Sequence, residues 1–361
     1  MRKNKLILLL SLMSFVVLFS CKRDDNAKND RSRTLNRILF GSCSSQHNDI
    51  VGIYNYMGAQ YPDLYLAMGD NIYGDFFAIL PGTYDYMRMA YENMFAKPEV
   101  KRFYDKVETL AVWDDHDFGQ NDGVIDNPAK YYAKTLLFDN FKVAPDDPRR
   151  FNPSGEIYAN YEYGDDAHRV QIIMLDNRWN RTPYAAPGPL SALSGYDSIV
   201  TPDARMMSDE QWAWLEEQFK RPAKLRFVVS GTQFSASYNG GEAWSVMPNE
   251  KRRMVELIKS TRVNGLAFLS GDVHFGDENV LKVPDCYPIF DFTSSGLTHY
   301  TSSPYASTNR IKGSGAPFAG LNFGQIDIDW NKTPIEYTVT IRNSTAKPVI
   351  TRKISVADIS F

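Results

Sequence analysis

Four segments of the sequence combine acidic, thiol or imidazole side chains with the end of an apolar run. They are Gly41-Ser42-Cys43, Gly69-Asp70-Asn71-Ile72-Tyr73, Trp113-Asp114-Asp115-His116-Asp117 and Ser270-Gly271-Asp272-Val273-His274. A single aspartate at such a position is usually a turn or helix-cap residue. Four such segments at one edge of a sheet are harder to explain as turn or cap residues, because carboxylates crowded there raise one another's pKa values unless cations neutralise them. The pattern therefore indicates a metal site.

The apolar runs before these segments are predicted β-strands, with helical spacing between them. The predicted strands are 37–41, 64–68, 109–113, 169–175, 225–230, 266–270 and 289–292, and the predicted helices are 49–60, 83–107, 129–143, 209–219 and 250–263. This alternation predicts an α/β fold with a largely parallel core sheet, in which ligands bind outside the carboxyl ends of the strands. Near the end of the chain, alternating runs at 323–330, 336–342 and 349–356 predict an antiparallel closing sheet.

Composition excludes several classes of protein. The chain has 361 residues, 43% hydrophobic residues and a net charge of −3, as expected of a globular protein rather than a disordered one. That charge provides no broad basic surface, so a nucleic-acid-binding module is not expected. Three cysteines are too few for a disulfide scaffold in a chain of this length. We interpret residues 35–361 as one domain.

The N-terminal segment has the pattern of a secretory signal. Basic residues precede an apolar run at 6–19, which as a helix would span roughly 21 Å and so would not cross a bilayer. Residues 1–20 are therefore predicted to be a signal peptide. The run ends in a sequence that resembles a bacterial lipobox, in which Cys21 would be acylated, and 21–34 would be a polar tether. A short N-terminal anchor is the alternative. We expect a lipid-anchored protein of the cell envelope, periplasmic or surface-exposed.

Taken together, the four segments resemble the motifs of the alkaline phosphatase D (PhoD-like) family. This family belongs to the calcineurin-like metallophosphoesterases and is related to the purple acid phosphatases. Asp176-Asn177-Arg178-Trp179-Asn180-Arg181 is similar to its Asp-x-Arg-x-x-Arg segment, and Glu210-Gln211-Trp212-x-Trp214-Leu215 to its Glu-Gln-x-x-Trp-Leu helix. The resemblance implies a metallophosphoesterase-type layered α/β sandwich, with mixed central sheets and an antiparallel C-terminal portion.

The resemblance also implies two metal ions. Ferric iron would be held by Cys43, Asp70, Tyr73 and His274. A divalent cation would be held by Asp70, Asp115 and Asp272, and Ca²⁺ suits such all-oxygen ligands. Asp70 would bridge the two ions, and Asp114 would either ligate a metal or orient a ligand.

Three residues of the four motif segments also have structural interpretations. Cys43 could form a disulfide with Cys286 in an oxidising compartment. Tyr73 could be a core tyrosine with a hydrogen-bonded hydroxyl, and His116 could be a buried structural histidine.

By resemblance, the activity is hydrolysis of phosphomonoesters or phosphodiesters by a metal-bound hydroxide, without a phosphoenzyme. His116 would protonate the leaving oxygen or stabilise the phosphoryl charge. Asn121 and Arg178 would contact the phosphate, although pairing of Arg178 with Asp176 is an equal alternative. Other hypotheses remain open: a phospholipase D-type or teichoic-acid phosphodiesterase, a non-catalytic lipoprotein that binds a phosphorylated ligand, and a structural envelope protein with a disulfide. The oligomeric state stays open.

Overall fold

The computed structural model describes residues 31–48, 51–75, 84–184, 196, 198–237 and 241–361. The predicted signal peptide, Cys21 and most of the predicted tether lie outside the described residues. Within the described ranges, no helix combines the length and apolar character needed to span a membrane.

Strands and helices alternate through the first three quarters of the chain, and strands followed by a short 3₁₀ helix (Val356–Ile359) form its end. The strands are β1 (Arg37–Gly41), β2 (Leu64–Met68), β3 (Thr109–Val112), β4 (Ala159–Tyr163), β5 (Val170–Met174), β6 (Leu225–Ser230), β7 (Leu266–Ser270), β8 (Gly276–Leu281), β9 (Ile289–Ser294), β10 (Asn322–Asp329), β11 (Glu336–Asn343) and β12 (Pro348–Ser355). The helices are α1 (Ile53–Gly58), α2 (Asp85–Ala96), α3 (Pro98–Lys106), α4 (Asp115–Phe118), α5 (Lys130–Asn140), α6 (Asp209–Lys220) and α7 (Pro248–Thr261).

The strands form two six-stranded mixed sheets. The first has the order β12-β11-β10-β1-β2-β3, and the second β4-β5-β6-β7-β9-β8. Parallel pairing joins β1, β2 and β3 in the first sheet and β5, β6, β7 and β9 in the second. The layered α/β sandwich with mixed sheets is confirmed. The parallel pairing of the core is divided between the two sheets, and the predicted antiparallel C-terminal strands join the first sheet, because β10 pairs antiparallel with β1.

The central strands are apolar on both faces because both faces are covered. In β1, Ile38 and Phe40 belong to the hydrophobic core that also contains buried residues of the second sheet. Leu39, which points to the opposite face, packs in a separate core with residues of α1, α2 and α3. This alternation places the first sheet between the second sheet and a layer of helices.

The predicted helix 83–107 is two helices. Proline lacks a backbone N–H and disfavours helical geometry in the residue before it. Lys97 is accordingly extended, with φ −66° and ψ 127°, and Pro98 opens α3. The first predicted helix is also shorter than expected, since the structure assigns α1 to Ile53–Gly58.

Strand β8 has no counterpart among the predicted strands because its sequence, GDENVL, is strongly polar. Its acidic residues are buried with cationic partners far away in the sequence. Asp277 accepts from Arg310 Nε at 2.5 Å, and Glu278 accepts from Arg352 Nη2 at 2.6 Å. Such partners make burial of a charge tolerable, but a local pattern does not reveal them.

Candidate metal centre

The predicted metal ligands follow the carboxyl ends of strands in both sheets. Cys43 lies just after β1, Asp70 after β2, Asp115 after β3 and Asp272 after β7. The two sheets meet at this edge, where the backbone N–H of Ser42 donates to the carbonyl oxygen of residue 294 at 3.1 Å. Side chains that are distant in the sequence therefore lie side by side.

Potential ligand atoms within each of three overlapping sets lie within 4.8 Å of one another. The sets are Cys43, Asp70 and His274; Asp70, Asp115 and His116; and Asp70, Asp114, Asp115 and Asp272. Asp70 belongs to all three. The structure thus brings together the acidic, thiol and imidazole groups that the sequence placed on one rim.

Cys43 and Tyr73 lie beside Asp70 and His274, in the part of the cluster whose potential ligand atoms include sulfur and nitrogen. The Cys43 thiol is 3.3 Å from Asp70 Oδ2 and 3.0 Å from Ser295 Oγ. The Tyr73 hydroxyl is 3.0 Å from His274 Nε2. Ser295 Oγ also accepts from the backbone N–H of His274 at 2.8 Å, so this hydroxyl orients two potential ligands.

The structure contains no disulfide between Cys43 and Cys286, since both are free. Burial raises the pKa of the Cys43 thiol to about 12 and so favours its protonated form. Metal coordination deprotonates a thiol outright and would reverse that preference.

Alkylation should discriminate between the two cysteines. The Cys43 side chain is fully buried, whereas Cys286 is partly exposed, and alkylating reagents need an accessible thiolate. We expect a brief iodoacetamide treatment of the folded protein to modify Cys286, and modification of Cys43 to require unfolding. Peptide mass mapping measures both. A non-reduced peptide linking the two cysteines would contradict the free-thiol geometry.

The backbone at this edge has an unusual conformation. Cys43, Asp70, Asp272 and His274 have φ values of 60°, 49°, 72° and 63°. Residues other than glycine rarely adopt the left-handed region, and such strain concentrates at functional sites. Gly69, at φ +100°, requires glycine for a second reason, since a Cβ there would lie 2.5 Å from the Cβ of Asp114.

Arg178 connects Asp114 to an acidic residue that the motifs did not include. The Arg178 side chain is fully buried. Its Nε donates to Asp114 Oδ1 at 2.5 Å and its Nη1 to Glu242 Oε1 at 3.0 Å. Asp176 accepts from the backbone N–H of Arg178 at 3.0 Å rather than from the guanidinium. The suggested side-chain pairing with Asp176 is therefore absent, and the guanidinium instead neutralises Asp114 and Glu242.

Replacing Arg178 by methionine should strongly destabilise the fold. The change leaves Asp114 and Glu242 as buried charges without their cation, which typically costs about 3–5 kcal/mol in the free energy of unfolding. Urea denaturation monitored by fluorescence measures this loss.

The matched control is Arg221→Met. Arg221 pairs with Glu162 at the surface, where its side chain is 51% exposed, so we expect a loss below about 1 kcal/mol. Equal losses in the free energy of unfolding would contradict a special contribution of the buried ion pair to stability.

The buried carboxylates of the cluster repel one another and are suited to binding cations. Burial raises the pKa of Asp70 well above its usual range, as does the nearby Cys43. Burial likewise raises the pKa of Asp114 to about 8, against the effect of Arg178. Asp114 Oδ2 and Asp115 Oδ1 are buried without a hydrogen-bond partner among the described residues. Buried oxygens left in this way are costly unless a ligand satisfies them, so the donor set fits bound metal ions.

His116 lies at the border of the cluster with its ring held on two sides. Its Nδ1 is 2.9 Å from Asp75 Oδ2, and its ring centroid is 4.1 Å from that of Tyr73. Burial lowers the pKa of His116, but Asp115 and Asp75 outweigh burial and raise it to about 9. The two carboxylates favour the protonated imidazole, which is the form that can donate a proton.

Several residues of the site were not predicted from the sequence. They are Asp75, Asp122, Glu242 and Ser295. Asp75 and Asp122 lie close to motif residues and could have been considered. Asn121, a predicted phosphate contact, is exposed, and its role stays a prediction. The neighbouring Asp122 donates its backbone N–H to Asp115 Oδ2 at 2.7 Å.

The sequence matches a known protein family over most of its length. A family model described as PhoD-like phosphatase matches residues 38–316. The chain belongs to the PhoD-like phosphatase family. The resemblance inferred from the motifs is thereby confirmed. Alkaline phosphatase D of Bacillus subtilis (strain 168) is 22% identical to this PhoD-like chain over 300 residues, covering 72% of the chain and 48% of the relative. The chain thus spans about half the length of the curated relative it matches.

Solved structures show the same fold. The structure of PhoD matches with a TM-score of 0.63 at 17% identity, covering 90% of this PhoD-like chain and 69% of PhoD. A purple acid phosphatase from yellow lupin (Lupinus luteus) seeds matches with a TM-score of 0.56 at 11% identity, covering 89% and 54% of the two chains. Both likenesses support the sandwich described above.

Proposed function

We propose that this PhoD-like chain hydrolyses phosphoric esters at the cluster of strand-end ligands. The observation that carries the proposal is the position of Asp70, whose carboxylate is close to a thiol and an imidazole on one side and to further carboxylates on the other. A residue placed between two such donor sets can share its oxygens between two cations. Membership of the PhoD-like phosphatase family supports phosphoric esters as the substrates.

The two donor sets differ in chemistry. Cys43, Asp70, Tyr73 and His274 would hold ferric iron, and Asp70, Asp115 and Asp272 would hold a divalent ion, for which calcium is our choice because the donors are oxygens. Asp114, held by Arg178 through Oδ1, would either ligate the divalent ion with Oδ2 or orient a ligand. When bound, the ions would polarise a phosphoryl oxygen and lower the pKa of water.

The side chains of the protein supply the proton transfer and the orientation. His116, held by Asp75, is positioned to protonate the leaving oxygen as the ester bond breaks. The Arg178 guanidinium is buried and pairs with Asp114 and Glu242, so it acts on the substrate through the position of Asp114. Water attacks phosphorus directly, and we therefore expect inversion at a chiral phosphorus centre.

A substrate comparison tests the proposal. The purified protein, loaded with iron and calcium, should hydrolyse p-nitrophenyl phosphate or bis-p-nitrophenyl phosphate, and removal of metal by a chelator should abolish the activity. The ratio of the two rates distinguishes a monoesterase from a diesterase. Metal-loaded protein that binds orthophosphate but hydrolyses neither ester would favour a binding lipoprotein instead. An active sample free of metal would refute the proposed site.

We also propose secretion and lipid anchoring at Cys21, on the evidence of the apolar run and the lipobox-like sequence. Expression in a bacterial host with radiolabelled palmitate tests this. The label should enter the wild-type protein and not a Cys21→Ser variant, which should leave the membrane fraction. Labelling of the variant to the same extent would refute acylation at this position.

A further inference from the structure

His299 lies against two predicted metal ligands although none of the sequence motifs contains it. Its ring centroid is 4.2 Å from that of His274 and 5.0 Å from that of Tyr73. The Tyr73 ring in turn contacts His116. The four rings form one wall of the site, and each of the other three already has a proposed role.

The backbone positions His299 from two directions. Its N–H donates to the carbonyl oxygen of Cys43 at 3.1 Å, and the N–H of Thr301 donates to the carbonyl oxygen of His274 at 2.8 Å. The preceding Thr298 donates its hydroxyl to the carbonyl oxygen of Ser45 at 3.0 Å. The backbone of this segment is thus hydrogen-bonded to the backbone of the site, and the ring itself is held by its contacts with His274 and Tyr73.

Packing alone does not account for the polar atoms of this ring. The Nδ1 atom is buried and has no hydrogen-bond partner among the described residues, and the rest of the side chain is partly exposed. Because a buried N–H without an acceptor is costly, the tautomer with its proton on Nε2 is favoured, and Nε2 is the nitrogen left to interact with a ligand. An imidazole that is rigidly held beside metal ligands, with one edge open, is suited to a ligand that binds at that edge.

We propose that His299 is a further catalytic residue, whose Nε2–H donates to a non-bridging phosphoryl oxygen of the bound ester. The proposal rests on the proposed phosphoesterase function and adds a protein donor to the phosphate site. Arg178, the earlier candidate for this contact, has its guanidinium occupied by carboxylates, whereas His299 retains an open edge. The donor would act on substrate, transition state and product phosphate alike.

Two variants separate the hydrogen bond from the packing. His299→Phe keeps a ring against His274 and Tyr73 but removes the donor, and His299→Gln restores an N–H near the position of Nε2. Orthophosphate binding to the metal-loaded protein is measured by calorimetry, together with KM, kcat and metal content. We expect His299→Phe to weaken phosphate binding and raise KM about 10- to 100-fold with unchanged metal content, the loss of one hydrogen bond to a charged group. His299→Gln should recover most of the affinity.

The control is His168→Phe, because His168 pairs with Asp165 just before the amino end of β5, away from the carboxyl ends that carry the ligands. This variant should bind phosphate as the wild type does. Unchanged phosphate binding by His299→Phe would overturn the proposal, and so would loss of metal from both His299 variants, which would show that the ring merely supports His274. If the wild type binds phosphate but hydrolyses no ester, the proposed function fails, while the binding comparison still decides the role of His299.

Discussion

Asp70→Asn is expected to remove both cations and nearly all activity. Asparagine keeps the shape of the side chain but loses the charge that the thiol–imidazole set and the carboxylate set share. Substitutions of residues that merely support a metal ligand typically reduce metal affinity or activity 10- to 100-fold, so loss of a shared ligand should exceed about a hundredfold. Elemental analysis and initial rates on the same samples measure the two effects.

The matched control is Asp166→Asn. The Asp166 side chain is 96% exposed, so its substitution removes the same charge without touching the cluster, and metal content and rate should stay at the wild-type level. Retention of both metals by Asp70→Asn would contradict a shared carboxylate. Loss of one metal alone would show that Asp70 belongs to one donor set.

His116→Asn is expected to reduce kcat most for substrates with poor leaving groups. General acid catalysis typically contributes about 10²- to 10⁴-fold. An alkyl phosphate needs that proton, because its leaving alkoxide is strongly basic, and it should show the full loss. p-Nitrophenyl phosphate releases a stable phenolate that needs no proton, so the kcat for this substrate should fall far less. Comparison of kcat for the two substrates measures the difference.

A second variant and the metal content test the same role of His116. Asp75→Asn, which keeps the imidazole but weakens the partner of Nδ1, should have a smaller effect of the same kind. Metal content should be unchanged in both variants, since His116 is proposed to act on the leaving group and not as a ligand. Equal losses on both substrates would contradict the general-acid role, and loss of metal would instead assign His116 to the metal ligands.

The positions of the buried strands could be predicted because their signal is local. The runs of β2 and β7 are almost entirely apolar and are each followed by glycine, so composition alone delimits them. Strand β8 could not be predicted in this way. Its buried Asp277 and Glu278 are compensated by Arg310 and Arg352, and these contacts arise only when the chain has folded.

Residues of the candidate site likewise divide into those that a local sequence pattern indicates and those that only the folded structure reveals. Asp70 and Asp115 could be proposed because each follows an apolar strand in a recognisable motif. Glu242 and Ser295 stand in segments without such a motif. Their roles depend on the positions of Arg178 and Cys43, from which they are separated by 64 and 252 residues.

The amino-acid sequence by itself therefore determined the layered α/β class, the family and the strand-end residues that can bind metals. Tertiary structure decided which of these residues meet, that Cys43 and Cys286 stay free thiols, that Arg178 neutralises carboxylates, and that His299 joins the ring wall beside Tyr73 and His274. The physical reason is the range of the interactions. Hydrophobic periodicity and turn preferences act between neighbours in the chain, whereas the desolvated charges of the site are stabilised by partners that only the packing of two sheets brings together.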